Sequence, residues 1–222
     1  MLFVGAQINV WRSYSPPAGG GRRIKYHTVI EYLPYTVNGD IMSSYIVLTA
    51  IGPDSPGLVD EISASLAAGK INIEDSRMAV LGGEFAVIML ASGETGPVDR
   101  LRSELAALEK STGLTVMMKP TLSPHERKVT PAMPHRLVAT SMDHPGIVHE
   151  ISSILHRRNI NIESMDTHVS NAPLSGAPIF KMRCVINIPV GEKLSSVRKE
   201  MEKLADRMDI DIEIDAMDGT VL

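Results

Sequence analysis

One cysteine, Cys184, in 222 residues leaves no internal disulfide to form, and no Cys/His spacing resembles a zinc site. A reducing, cytoplasmic setting is the expectation. No run of eighteen or more apolar residues occurs, which argues against a membrane-spanning helix. Positive charge is also scarce. The formal net charge is −4, and residues 1–41 carry Arg12, Arg22, Arg23 and Lys25 against Glu31 and Asp40, so the rest stands at −6. Nucleic-acid binding draws on clustered cations that displace phosphate counterions, and no such cluster lies beyond the first forty residues. Direct contact with nucleic acid is therefore not expected. Enzyme signatures are missing too. His149-Glu150 is followed by His156 and not by a histidine at position 153, Gly19-Gly20-Gly21 lacks the lysine and hydroxyl of a phosphate loop, and no dinucleotide fingerprint or nucleophile elbow is present. No catalytic residue, metal or cofactor is expected, and His149 and His156 read as solvent-facing helix residues.

What the chain does contain is itself, twice. Ala50–Glu74 recurs without gaps at Ala139–Glu163, with DSPGLVDEIS matching DHPGIVHEIS and KINIEDS matching NINIESM. Self-similarity over so long a unit signals two equivalent domains, each large enough to bury a small core. Aromatics amount to only 4% and are unevenly spread: Trp11, Tyr14, Tyr26, Tyr32 and Tyr35 all precede residue 42, and the repeats hold Tyr45, Phe85 and Phe180. With Pro16-Pro17 and the glycine triplet, this sets residues 1–41 apart as an extension, artefactual or disordered. Met42, just before the first strand, reads as the translation start. A transit peptide is the rival, favoured by the arginines and disfavoured by few serines.

Within each repeat, hydrophobic periodicity gives the order βαββαβ. The first has a strand at Tyr45–Ile51, a helix opening at Ser55-Pro56 with the stripe Leu58, Val59, Ile62 and Leu66, and a strand from Ile71. A turn at Gly82-Gly83, a strand Glu84–Ala91, a helix with Val98, Leu101, Leu105 and Leu108, and a strand Leu114–Met118 complete it. The second has a strand His135–Ser141, a helix lined by Ile147, Val148, Ile151 and Leu155, and a strand opened by Ile160. A longer loop at 171–178 replaces the Gly-Gly turn. Phe180, Met182, Cys184, Ile186 and Ile188 then alternate with polar residues, Cys184 as an inert core thiol. A helix with Leu194, Val197, Met201, Leu204 and Met208 and a strand through Ile210, Ile212 and Ile214 follow. The fold class is α+β: two ferredoxin-like modules in tandem, each an antiparallel sheet with helices on one face. The expected boundaries are 1–41 extension, 42–119 first module, 120–134 a stiff proline-rich linker, and 135–218 second module.

Two short constellations stand out. Asp-x-Pro-Gly occupies 54–57 and 143–146, where a strand passes into a helix. Its structural reading is capping: Asp54 or Ser55 accepts from the first amides, Pro56 begins the helix and Gly57 allows tight packing. Its functional reading turns the same physics outward, with free amides holding a carboxylate, glycine admitting close approach, and Asp54 or Asp143 meeting an ammonium. His144 could orient that carboxylate or be an ordinary turn histidine. Asn-Ile-Glu at 72–74 and 161–163 begins the next strand. Because the two strands of a βαβ unit run parallel, each asparagine lies at the far end from its own loop, and only modules set side by side about a pseudo-twofold axis could join Asn161 to the first loop and Asn72 to the second. Alternatively, Asn72 and Asn161 simply terminate helices as left-handed or turn residues.

The βαββαβ order with Asp-x-Pro-Gly after the first strand resembles the ACT domain family. Asn72-Ile-Glu-Asp-Ser-Arg-Met, Leu81-Gly-Gly-Glu-Phe and Ile88-Met-Leu-Ala-Ser-Gly93 are similar to the first module of the glycine cleavage system transcriptional repressor family, a likeness spanning about residues 43–217 and weaker in the second module. The resemblance implies a non-catalytic regulator acting through a protein partner, binding a small amino acid, with glycine the guess, and pairing as a homodimer. By position it implies a ligand-binding set of Asp54, Ser55, Gly57, Leu58 and Asn72, and of Asp143, His144, Gly146, Ile147 and Asn161. The rival is a ligand-free interaction or dimerisation module in which the loops are merely caps.

Overall fold

The computed structural model describes residues 7–13, 25–31, 43–128 and 130–217. Strands β1 (Gln7–Ser13) and β2 (Lys25–Glu31) pair antiparallel as a two-stranded sheet. The rest of the expected extension, Met42 included, lies outside the described residues. The chain divides between Arg127 and Lys128 into two units, each containing one βαββαβ module.

The first module runs β3 (Ser43–Pro53), α1 (Leu58–Ala68), β4 (Asn72–Leu81), β5 (Glu84–Glu94), α2 (Thr95–Thr112) and β6 (Thr115–Thr121), with the sheet ordered β4-β5-β3-β6 and every pair antiparallel. Strand residues alternate between faces. Ile46, Leu48 and Ala50 of β3, with Phe85, Val87, Met89 and Ala91 of β5, turn inward against Leu58, Ile62 and Leu66 of α1 and Val98, Leu101 and Leu108 of α2. Each such side chain, fully buried, contributes about 1.5–3 kcal/mol relative to exposure. Both helices cover one face and the opposite face stays open.

The second module repeats the plan as β7 (Ala132–Met142), α3 (Ile147–Arg157), β8 (Asn161–Asn171), β9 (Pro178–Pro189), α4 (Leu194–Met208) and β10 (Asp211–Ala216), ordered β10-β7-β9-β8. Its core gathers Leu137, Ala139, Ile147, Ile151, Leu155, Met182, Ile186, Val197 and Met201. Cys184 sits within it, and desolvation lifts its thiol pKa to about 11, which keeps it protonated and unreactive.

Three details differ from the sequence reading. Ile71 and Ile160 precede their strands by one residue; both are buried, and their N–H groups donate to the Leu66 and Leu155 carbonyls at 2.9 Å, closing the helices. The residues that take left-handed geometry there are Lys70 (φ 54°) and Asn159 (φ 55°), so Asn72 and Asn161 open strands and do not end helices. The expected linker is partly sheet: Pro120 pairs in β6 and Pro134 in β7. Pro120 is tolerated because β6 is an edge strand with one side free of ladder bonds.

Strands β4 and β8 are the edges opposite the β6 and β10 ends. Every residue of β4 is exposed, and in β8 only Ile162 is partly covered. The helices leave both strands largely uncovered, Ile162 alone packing against a core.

Candidate functional site

In each module the Asp-x-Pro-Gly segment forms a loop anchored at its first residue. The Asp54 N–H donates to the Gly83 carbonyl at 2.9 Å, and the Asp143 N–H to the Pro178 carbonyl at 2.9 Å, tying each loop to the hairpin end of its sheet. The helix that follows begins at Leu58 or Ile147, later than the sequence suggested, because Gly57 (φ 101°) and Gly146 (φ 103°) are the N-caps and turn the chain in the left-handed region. Their carbonyls accept from the Glu61 and Glu150 amides at 2.9 and 3.0 Å.

The capping explanation for Asp54, Ser55 and Pro56 is thus corrected. No side chain caps either helix, Asp54 and Ser55 stay exposed, and Pro56 lies before the helix. The tight-packing role for glycine fails as well, since a Cβ at Gly57 or Gly146 would meet nothing within 4 Å. What requires glycine is the backbone angle, at which a side chain is strained by roughly 1–2 kcal/mol. The outcome is a first helical turn with no side-chain acceptor among the described residues and an open approach at the Cβ position of its glycine cap, the geometry that favours an anion at a helix N-terminus.

The two loops differ electrostatically. Asp60 and Glu61 occupy the first turn of α1. In α3 the first turn holds only Glu150, whose carboxylate is bonded to Arg207 at 2.6 Å. His144 of the second loop is half-exposed, with Nδ1 3.2 Å from the Pro145 carbonyl, which leaves Nε2 facing away from that bond. Leu58 and Ile147 are buried in the cores, so their side chains face away from any ligand and only their amides can contribute.

The asparagines lie elsewhere. Asn72 pairs in register with Ser92, on the level of Tyr45 at the start of β3, whereas Asp54 follows the end of β3. Asn161 pairs with Asn187 in the same way. Each module thus holds its loop and its asparagine at opposite ends of one sheet, as the parallel course of the two strands requires.

Around each asparagine the structure adds residues that the sequence motif left unassigned. The pairing register shifts between Ile73 and Asp75, and again between Ile162 and Ser164, so Glu74 and Glu163 sit at equivalent bulges. Glu74 accepts from Asn72 at 3.0 Å and from the Ser92 hydroxyl; Glu163 accepts from Asn187 at 2.9 Å. The Ser92 and Asn72 bonds hold the Glu74 carboxyl below the usual glutamate range, so it is charged at neutral pH. The written motif Asn-Ile-Glu carried the signal for Glu74 and Glu163; nothing in it pointed to Ser92 or Asn187, which come from the neighbouring strand. Among the described residues, no group of three or more His, Cys, Asp or Glu is placed to hold a metal.

Comparison with known proteins gives the frame. The ACT domain family matches residues 44–119 and again 135–206. The chain is 26% identical over 162 residues to the glycine cleavage system transcriptional repressor of Escherichia coli, covering 72% of this chain and 83% of that protein. A UPF0237 protein of Methanopyrus kandleri is 40% identical over 75 residues, 33% of this chain and 83% of its own length. Among solved structures, an unknown protein from Galdieria sulphuraria aligns with a TM-score of 0.68 at 25% identity, covering 80% of this chain and 100% of that one. A protein described as a candidate glycine cleavage system transcriptional repressor aligns with a TM-score of 0.59 at 25% identity over 80% and 99%. With the repeated sequence, the repeated βαββαβ sheets and a family match to each, the chain belongs to the ACT domain family as a tandem of two ACT domains.

Proposed function

We propose that this chain is a non-catalytic, amino-acid-responsive regulator that acts through a protein partner in the control of glycine cleavage or related amino-acid metabolism. The observation that carries this reading is the loop occurring in both modules. Its glycine cap, uncapped helix amides and open space suit a carboxylate, and its aspartate suits an ammonium. An α-amino acid carries both groups. The similarity to the repressor of Escherichia coli supports a regulatory role and makes glycine the first ligand to try.

Each module offers two half-sites at opposite ends: a loop, and an asparagine with its glutamate. A complete site forms when the loop half of one module meets the asparagine half of a module in a second copy of the chain. Such a ligand binds the paired arrangement and not the separated one, which is what a switch requires. The loop of the second module is the better carboxylate receptor, because its single first-turn acid is neutralised by Arg207. Asn72, Glu74 and Ser92 form the matching half, with the ionised Glu74 available to an ammonium.

Thermal denaturation of the full chain against a panel of amino acids tests this. A ligand at a hundred times its Kd raises stability by about 2.7 kcal/mol, and Asp143→Ala should abolish that gain while leaving the unliganded melt near wild type. Absence of a shift with every amino acid at millimolar concentration would instead favour a ligand-free interaction module. That reading has its own support in the exposed apolar residues Met78, Val80 and Leu81 of edge strand β4.

A further inference from the structure

The open sheet face of the first module is apolar, while that of the second is charged. On β3 and β5 of the first, Tyr45, Val47, Thr49 and Ile51 alternate outward beside Ser92, Leu90, Ile88 and Ala86, so the four central rows of these strands carry no charge, and the acids of β5 on this face, Glu84 and Glu94, stand at its two ends. Ile51, Ile88 and Met117 remain 55%, 50% and 66% exposed. The other charges lie on the edge strands. One row reads Asp75, Leu90, Val47, Lys119 from β4 across to β6, and the next reads Arg77, Ile88, Thr49, Met117. On the second module the central strands carry Arg136, Lys181 and Arg183 outward, beside the edge acids Asp211, Glu213 and Asp215.

We propose that the open face of the first module is the interface at which two copies of this chain pair, sheet against sheet, about a twofold axis parallel to the strands. The interface adjoins the amino-acid half-site at one end only, in the row of Asn72, Ser92 and Tyr45, and its centre at Ile88 and Thr49 lies two rows away. The occupant follows from charge. Laid on a charged sheet such as the second module presents, the face would desolvate Arg136, Lys181 and Arg183 with no counter-charge in its four central rows, the β5 acids Glu84 and Glu94 lying only at the strand ends, a costly arrangement. Laid on a copy of itself, it buries apolar rows on apolar rows. Two twofold arrangements are then available. An axis across the strands through the row of Arg77 would set Arg77 against the partner copy's Arg77. An axis along the strands keeps each row level and reverses its direction, so Asp75 of each copy meets Lys119 of the other, twice in the dimer. Sheets packed in this aligned manner sit about 10 Å apart with strands within roughly 30° of parallel, close enough for such edge pairs to close.

Sedimentation velocity of the full chain over a wide concentration range reads the outcome. Wild type should form a dimer, and Ile88→Lys, which places a cation at the centre of the face, should raise its Kd at least about 30-fold. Val138→Lys, on the open face of the second module, should leave it unchanged. Lys119→Asp and Asp75→Lys should each weaken the dimer about threefold, and the double exchange should restore it. Circular dichroism and melting of each variant verify folding, and Thr49→Lys serves where Ile88→Lys fails to fold. A chain that stays monomeric overturns the proposal, as does a dimer indifferent to both Ile88→Lys and Thr49→Lys. A double exchange that fails to restore pairing overturns the axis along the strands. A monomer whose Met117 resists oxidation until residues 1–41 are removed would assign the cover to that stretch, and also overturns it.

Discussion

Leu48 and Leu137 occupy the same place in the two modules, each fully buried on the first strand, and so do Gly57 and Gly146, Ile71 and Ile160, and the bulges at Glu74 and Glu163. Away from these positions the modules part. The first turns from β4 to β5 through Gly82-Gly83, the second through residues 172–177. Where the first has Gly69 after its first helix, the second has Arg158, bonded to Glu200 at 2.7 Å and Glu192 at 2.6 Å. Core, helix caps and bulges are set by backbone geometry and close packing, which the fold imposes equally on both copies. Turn length, ion pairs and the open face are bounded by solvent and are free to differ, and those are where two copies of one domain can divide their labour.

The comparison is broken most severely at the shared core. Leu48→Ala and Leu137→Ala remove the same side chain from equivalent positions, and each should cost about 3 kcal/mol. In calorimetry, each substitution should lower the transition of its own module. Equal losses would establish that the cores are equivalent in energy as well as in shape. A smaller effect comes from the shared caps. Gly57→Ala and Gly146→Ala should each cost about 1–2 kcal/mol through left-handed strain, with alanine filling open space and touching nothing. If Gly146→Ala also removes the amino-acid thermal shift while Gly57→Ala spares it, the second loop is the working half-site.

These positions also show what a sequence can disclose. Repetition at a fixed offset and alternating hydrophobicity made the two βαββαβ modules, their open and covered faces and their helix stripes readable, apart from Val59, which the structure leaves exposed, because burial is periodic along the chain. The loops were legible as special but not in detail: proline before glycine suggested a helix start at Pro56, whereas a left-handed angle at Gly57 delays it to Leu58. Residues after a helix were misjudged in the same manner, since Lys70 carries no mark of the left-handed role it takes, and Asn72, which does, sits in a strand. Ser92 and Asn187 were invisible, because their partnership with Glu74 and Glu163 depends on strand register and not on neighbourhood in the chain. The apolar face of the first module needed that register as well, to align four strands into rows.

The smallest effects sharpen the comparison where the modules differ. Arg158 is about three-quarters buried and links the end of α3 to Glu192 and Glu200, and it donates to the Ser196 carbonyl at 3.2 Å. Arg158→Ala should destabilise the second module by about 1 kcal/mol, and Gly69→Arg should not confer a matching gain on the first, which lacks the acceptor pair. Arg157 and Arg158 hold the Glu200 carboxyl below the usual glutamate range. A carboxyl whose pKa is lowered on folding adds stability at neutral pH that fades as pH falls from the unfolded value through the folded one. In the first module, Glu74 is lowered chiefly by the Ser92 hydroxyl and then by Asn72, both neutral and at an exposed site, so its acid sensitivity rests on hydrogen bonds and not on a cation. Below about pH 4.5, melting in low and high salt should therefore separate the modules. Added salt should flatten the acid loss of the second module, where charge pairs carry it, and leave that of the first nearly unchanged. Glu200→Gln should remove the salt dependence from the second module, whereas Glu74→Gln should leave it in place.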